Sequence, residues 1–434
     1  MESDNNVQKL KFYQRQVWYG LISGIVTIQS ARQGIESLLP AVAEDPTFVA
    51  SKLNQVGIGT LLAWGNFFYF LGKCLAGYSV DKLSGRFVFL LSLGISSAFT
   101  IFIGLSNSVT TLTFCWCINK LFISSNWPSV AKTMATWFSP ERYGELNGMI
   151  AFSVRIGCLV SSLLVAELLR RHTYWRKIDF IMGLILILVF ASALLLVKRS
   201  PKQLGLPDPT KMSKASQGDD GDEHVDLQNE IEWDLITMAK DRVIWLMSMY
   251  VAGTTILMEL QSFLPLFLHL YMKLEVGFAV YASTIFQIGT ICGVMLGSFL
   301  YDKLCRKNIT IFLNGCMFIC TACLVLIWRL LPVLTSSHII FILFVYGFAL
   351  AIIFHLPTGV FMMVHVGQRH CGTLIAVLEA FGYLFAVLFD YYGAVAIKVF
   401  GWSGFFGLLV LTSMITSLFL FPMSSHPSIM TAKN

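Results

Sequence analysis

The chain has 434 residues, of which 56% are hydrophobic, 14% aromatic and only 13% Asp, Glu, Lys or Arg. Soluble domains carry about 25% charged residues, so a water-facing surface for this length cannot be assembled, and ordinary Pro and Gly contents exclude disordered and fibrous chains. The net charge of +6 is spread over short loops, which argues against a nucleic-acid binder and leaves an all-α integral membrane protein.

A helix crosses the hydrocarbon layer in about 20 mostly apolar residues. Twelve such runs occur in chain order, near 17–42, 55–80, 87–106, 110–137, 144–169, 177–197, 243–270, 278–301, 309–330, 338–365, 372–398 and 402–423. None alternates as a transmembrane β-strand does. Residues 198–242 form the one long hydrophilic stretch, basic at first and then acidic at Asp219, Asp220, Asp222 and Glu223. It reads as a linker between two six-helix bundles, 17–197 and 243–423, flanked by an N-terminus at 1–16 and a tail at 424–434. An internal repeat supports that division. Shifting GKCLAGYSVDKLSGR by 221 residues onto GVMLGSFLYDKLCRK superposes Gly72 on Gly293, Leu75 on Leu296 and Asp81-Lys82-Leu83 on Asp302-Lys303-Leu304.

The distribution of Lys and Arg predicts cytosolic termini and a cytosolic linker. The turns Asp81, Lys82, Arg86 and Asp302, Lys303, Arg306 then fall at the cytosolic helix ends, where their charges can latch neighbouring helices as a gate. The first sixteen residues are polar and span one is longer than a signal h-region, so no cleavable leader is expected. Most of the 10 cysteines fall inside spans and read as small core residues rather than a disulfide framework.

Ionisable groups at bilayer depth are costly and therefore candidates for function. The first half offers Arg32, Lys73 and Arg155, a cationic wall suited to an anion. The second offers Glu259, Glu379 and Asp390, with His355 and His269, and carboxylates of this kind carry protons. Bland readings stand beside these. Arg32 and Glu36 are spaced i,i+4 and can neutralise one another. Lys73 can snorkel to the helix end, and His355 is as well explained as a satisfied core histidine. Arg155 has no acid one turn away, so its partner must come from another helix or a ligand. Glu379, Tyr383 and Asp390 share one helix face, which fits a proton or substrate path or an inter-bundle salt bridge. No nucleotide loop, HExxH or Cys/His metal spacing is present, so neither an enzyme, a cofactor nor a metal site is expected.

Twelve spans in two halves, with the repeated DKL turn, resemble the major facilitator superfamily. Within it, Asn126-Trp127-Pro128-Ser129-Val130-Ala131-Lys132 followed by Thr136-Trp137-Phe138 resembles a segment of the organophosphate:phosphate antiporters. So do Tyr174-Trp175-Arg176, the SPKQLGLP run from Ser200 to Pro207, Cys371-Gly372-Thr373, Phe381-Gly382-Tyr383-Leu384 and Phe400-Gly401-Trp402-Ser403-Gly404-Phe405. That family includes glycerol-3-phosphate, hexose-phosphate and glucose-6-phosphate carriers. The resemblance implies that Arg32, Lys73 and Tyr383 bind phosphate, with Asn126 and Trp127 nearby. Two positions depart from the pattern: Gln33 stands where a lysine is common, and Leu257 where span seven carries an arginine. The segment from Glu145 to Asn147 with Ser153-Val154-Arg155-Ile156-Gly157 resembles span five of a lysosomal dipeptide transporter, where an arginine suits a carboxylate.

The resulting expectation is a secondary active carrier of a small organic anion, foremost a phosphorylated metabolite exchanged for inorganic phosphate, with no nucleic-acid partner and an oligomeric state the sequence leaves open, a monomer among the options. Substrate-binding candidates are Arg32, Lys73, Arg155, Asn126, Trp127, Glu259, His355, Glu379 and Tyr383, and proton-coupling candidates are Glu36, Glu259, Glu379 and Asp390. The rival reading is a proton-coupled or facilitative carrier of carboxylates, dipeptides or sugars, and a third is a receptor that binds without transporting.

Overall fold

The computed structural model describes residues 2–49, 55–139, 142–207, 240–303, 306–356 and 371–424. Apart from short turns, these residues are helical. The first bundle comprises α1 (Glu2–Ala43), α2 (Pro46–Val49), α3 (Gln55–Leu83), α4 (Gly85–Gly104), α5 (Val109–Ile123), α6 (Asn126–Trp137), α7 (Tyr143–Arg170) and α8 (Trp175–Leu196). The second comprises α9 (Arg242–Leu270), α10 (Val276–Lys303), α11 (Arg306–Leu330), α12 (Ser336–Leu356) and α13 (Cys371–Ser424). Eight of these segments are long and apolar enough to cross a membrane. The others are α1 and α3, with several polar residues, the single turn α2 and the short pair α5–α6.

Two details differ from the sequence expectation. The fourth run, read as one span, is two helices broken at Ser124 and Ser125. The hydroxyls there turn back onto Leu121 O at 2.7 Å and Phe122 O at 2.8 Å. Pro128 lacks an N–H for Ser124, and its ring would meet that carbonyl in a continuous helix. The last two runs are one long element, α13, bent at Gly401 with φ 68 and ψ −170. That backbone region is essentially reserved for glycine, and it lies in the short gap expected between spans eleven and twelve. The tenth span, expected to reach 365, is described to Leu356.

The bundles meet chiefly where α3 packs on α13 and α7 on α10, with lesser contacts of α1 to α9 and α10. An even number of crossings puts Glu2 and Ser424 at one end, here the termini end; the other is the far end. A continuous apolar cluster joins the bundles at the far end, from Leu38, Val42, Ile58 and Leu61 of the first to Leu264, Phe267, Ala394 and Ile397 of the second. The termini half of the first bundle has its own core, around Leu21, Phe89, Trp137 and Val197. Close backbone approach seals the far end. A Cβ on Gly59 would sit 2.1 Å from Ala394 Cβ and 2.7 Å from Asp390 O, and one on Gly277 only 2.7 Å from Arg170 N.

Candidate functional site

The seam between the bundles is where buried charge collects. On α1, Arg32 Nε donates to Glu36 Oε1 at 3.3 Å, the i,i+4 pair anticipated from spacing. The same oxygen accepts from Lys120 Nζ on α5 at 2.6 Å, with both side chains buried. Lys120 was missed in the sequence, although it lies inside an apolar run and met the criterion that found Lys73. Its ammonium rests 4.7 Å from the centre of the Trp116 ring, one turn earlier on α5, a cation–π contact that offsets part of its desolvation.

Three residues on α3 meet three on α13 in register. Asn66 donates to Asp390 Oδ2 at 2.8 Å, the Tyr69 and Tyr383 rings lie 4.4 Å apart, and Lys73 donates to Glu379 Oε2 at 2.5 Å. The shared face of Glu379, Tyr383 and Asp390 is therefore a bundle-to-bundle contact. Lys73 is 7% exposed, so it does not snorkel: its ammonium is spent on an acid of the opposite bundle. The Tyr69 ring also lies beneath the Arg32 guanidinium, 5.1 Å from its centre, and 5.7 Å from Lys73 Nζ. One aromatic thus positions two cations of the first bundle.

Elsewhere on the seam, Arg155 on α7 bonds His355 of α12, and its Nη1 donates to Thr290 on α10 at 3.3 Å. The partner that Arg155 required from another helix is thus supplied by the second bundle. Gln261 on α9 donates to Gln33 on α1 at 2.6 Å, a neutral inter-bundle bond. Ser262 donates to Glu36 Oε2 at 3.4 Å and to Glu259 Oε2 at 3.5 Å. Glu259 lies in the electrostatic reach of Glu36, Lys120 and Arg32. Toward the far end, His269 and Glu44 are 2.7 Å apart.

The cationic wall expected from the sequence is largely paired in the structure. Arg32, Lys73, Lys120 and Arg155 all belong to the first bundle, but three of them contact carboxylates and the fourth a histidine. Facing them are Glu36, Glu259, Glu379 and Asp390, three of these from the second bundle. Glu379 holds Lys73 across the seam, Glu36 holds Arg32 and Lys120 within the first bundle, and Glu259 and Asp390 bond the neutral Ser262 and Asn66.

The remaining candidates lie apart. Asn126 is fully buried at the start of α6, and neither amide atom has a hydrogen-bond partner among the described residues. Trp127 packs against the core of the first bundle. Arg86 caps the end of α8, donating to Val197 O at 2.5 Å and Leu194 O at 3.3 Å. It therefore ties two helices of its own bundle together. The side chains of Asp81, Asp302, Lys303 and Arg306 lie outside the described set. No metal-holding group of His, Cys, Asp and Glu occurs among the described residues.

Two six-helix bundles closing around a charged seam define a membrane carrier of the rocking type. Residues 21–389 match the Major Facilitator Superfamily, and the chain belongs to that superfamily as an integral multi-pass membrane protein. Among relatives, it is 23% identical to the "Probable hexose phosphate transport protein" of Chlamydia trachomatis, over 96% of this chain and 92% of that one. It is 21% identical to the membrane sensor protein UhpC of Escherichia coli, over 95% and 93%. With the glycerol-3-phosphate transporter of Haemophilus influenzae it shares 22% identity over 75% of this chain and 70% of that one. These relatives agree with the organophosphate:phosphate antiporter resemblance carried by the motifs. A solved D-xylose-proton symporter superposes with a TM-score of 0.74 at 14% identity, covering 95% of this chain and 99% of that one. A bacterial homologue of the lysosomal transporter Spinster gives 0.71 at 16%, covering 95% and 97%. Both share the fold.

Proposed function

We propose that the protein exchanges a phosphorylated metabolite for inorganic phosphate by alternating access, with both termini in the cytosol. The observation that carries this reading is the convergence of Arg32, Lys73 and Lys120 on the seam, each held by a carboxylate that phosphate can replace. The full-length similarity to a hexose phosphate transport protein supplies the substrate class. Arginine offers phosphate a planar fork of donors and lysine a compact charge.

The mechanism follows from the electrostatics. A phosphate entering between Arg32 and Lys120 takes over the donors now satisfying Glu36. One reaching Lys73 releases Glu379, and with it the α3–α13 cross-link. Empty, Lys73 and Glu379 hold the bundles together, and Glu36 keeps Arg32 and Lys120 neutralised. Loaded, the anion neutralises them instead, so the bundles can part at one end and close at the other without exposing bare charge to a dry interface. A carrier that returns readily only when loaded is an exchanger.

The test is uptake of labelled phosphate by proteoliposomes loaded with phosphate or a sugar phosphate. Stimulation by internal phosphate and its loss in Arg32→Ala support exchange, and indifference to every internal phosphate ester sinks it. One observation favours a proton-coupled reading: Asp390 is fully buried, with Asn66 on one carboxyl oxygen and no partner for the other among the described residues. Uptake driven by an imposed pH gradient and abolished in Asp390→Asn is its signature. Similarity to a membrane sensor favours a third, which predicts saturable phosphate-ester binding with no uptake.

A further inference from the structure

On α1 the buried charges have a neutral counterpart one residue further along. Arg32 and Glu36 bond one another, and Glu36 meets Lys120 of α5. Gln33 and Ser37 follow them in the chain, and one residue rotates a helix by about 100°. This second pair therefore turns toward α9 and α7, to Gln261 and Ser162. The same doubling occurs on α9, where Ser262 donates to Glu36 and Glu259 while Gln261 beside it donates to Gln33 at 2.6 Å. Charged and neutral polar groups thus lie side by side along the seam.

Part of the neutral set is a directed chain of hydrogen bonds. Gln287 Nε2 on α10 donates to Ser162 Oγ on α7 at 3.0 Å, the Ser162 and Ser37 hydroxyls lie 3.3 Å apart, and Ser37 Oγ donates to Gln33 O at 2.9 Å. Because the Ser37 hydrogen goes to Gln33 O, Ser162 is the donor between the two hydroxyls. Gln33, Ser37, Ser162 and Gln287 are all buried, Gln287 at 5% exposure. The chain ends on Gln287 Oε1, which accepts from no group among the described residues. A buried carbonyl oxygen left without a donor is costly. The two contacts that join the bundles here, Gln287 with Ser162 and Gln261 with Gln33, are neutral hydrogen bonds, and both break when the bundles separate.

We infer that Gln33, Ser162, Gln261 and Gln287 form a belt that selects for hydroxyl groups on the organic part of the transported ester. Gln287 Oε1 accepts from one hydroxyl, and the amides of Gln33 and Gln261, once separated, bond others. The inference rests on the phosphate-exchange reading, which places the phosphoryl group at Arg32 and Lys120. The rest of the ester then lies against Gln33 on α1 and Gln261 on α9, each adjacent in the chain to a residue of the charged cluster. A hydroxyl is donor and acceptor at once, as is a side-chain amide, so the belt matches hydroxyls in either sense. An apolar tail leaves the same groups buried and unpaired, and a site built to bond hydroxyls rejects such an analogue. Inorganic phosphate has no organic part and uses the charged groups alone. The favoured cargo is therefore a phosphorylated polyol or sugar rather than a phosphorylated alkyl chain.

The experiment uses the full chain in proteoliposomes loaded with inorganic phosphate. Uptake of labelled phosphate is inhibited from outside by unlabelled phosphate, glucose 6-phosphate, 2-deoxyglucose 6-phosphate or 1,5-anhydroglucitol 6-phosphate. Inhibition constants are compared for wild type, Gln287→Met and Gln33→Met/Gln261→Met, methionine matching glutamine in length. In wild type at least one deoxy ester should bind about fivefold more weakly than glucose 6-phosphate, the effect of one hydrogen bond. In a methionine variant that gap should close, and the ratio of the phosphate constant to the glucose 6-phosphate constant should fall about tenfold. A purely structural role weakens every inhibitor by one common factor, and that result overturns the inference. So does a gap between glucose 6-phosphate and the deoxy esters that is absent in wild type or equally wide in both variants. Exchange that persists with unaltered ester selectivity overturns the inference alone, whereas no exchange in wild type overturns the phosphate-exchange reading with it.

Discussion

Glu36 of α1 accepts from Lys120 of α5 at 2.6 Å and from Arg32 one turn earlier at 3.3 Å through the same carboxylate oxygen. One acid thus holds two cations inside the first bundle, and its second oxygen faces Ser262 of the other bundle. Neutralising it leaves two buried cations with no carboxylate between them. Glu36→Gln should destabilise the protein by about 3–5 kcal/mol, the cost of breaking a buried pair from one side. Thermal unfolding in detergent checks this, and Lys120→Met added to Glu36→Gln should recover much of the loss.

The bond between Lys73 and Glu379 joins the bundles nearer the termini end, and it has two separable roles. Lys73→Glu should lower both thermal stability and phosphate exchange, the latter by at least about tenfold, because it removes an anion donor and opposes Glu379 with a like charge. Exchanging the two charges, Lys73→Glu with Glu379→Lys, should restore stability and leave exchange low. Recovery of exchange in the swap would show that only the cross-link matters.

Gly59 marks the tightest backbone contact between α3 and α13 at the far end. A valine there must displace Ala394 and the Asp390 carbonyl, neither of which is the tip of a flexible side chain. Gly59→Val should cost about 1–3 kcal/mol through overpacking and slow exchange by propping the far end open. Cysteine labelling at that end, faster in the variant than in wild type, is the corresponding measurement.

Asp45, in the turn after α1, ties two far-end connections together. It accepts from Tyr174 Oη and Trp175 Nε1 at 2.6 Å and from Thr47 N at 2.8 Å, with Arg176 3.5 Å away. Burial alone would push its carboxyl up, but the hydrogen bonds from Tyr174, Thr47 and Trp175 outweigh that and hold it well below the usual carboxylate range. A depressed native value means the stabilisation is fully present above the unfolded value of about 3.9 and is lost as pH falls toward the native one. Thermal stability should therefore show no Asp45 contribution to its pH dependence between pH 6 and 8. It should decline below about pH 4 more steeply in wild type than in Asp45→Asn.

Much of the fold is legible in the chain because its signals are local. Apolar run length sets each crossing, and Gly401 marks the bend between the last two. The Asp81 and Asp302 turns betray the duplication. The site was partly legible for the same reason: Arg32, Lys73, Arg155, Glu259, Glu379 and Asp390 stand out as charges in apolar surroundings. Lys120 was overlooked, yet its signal was equally available between Asn119 and Leu121. The break at Ser124 could have been read from Pro128, whose missing N–H falls on that turn.

What no local signal carries is which charge meets which. Lys73 and Glu379 are 306 residues apart, and Asn66 and Asp390 are 324 apart. Their partnership depends on the two bundles packing face to face with α3 against α13. Nor can spacing show that Arg86 is turned inward onto the carbonyls at the end of α8, or that Trp137 donates to Lys198 O. The low charge content, 13%, determined by itself that the protein lies in a membrane, because water-facing surface needs charge and hydrocarbon excludes it, and the apolar run lengths set the crossings. Only the tertiary structure decided which buried charges meet: Glu36 with Lys120 inside the first bundle, and Lys73 with Glu379 across the seam. Coulomb pairing in a low-dielectric interior depends on through-space distance, which the order of residues along a chain does not fix.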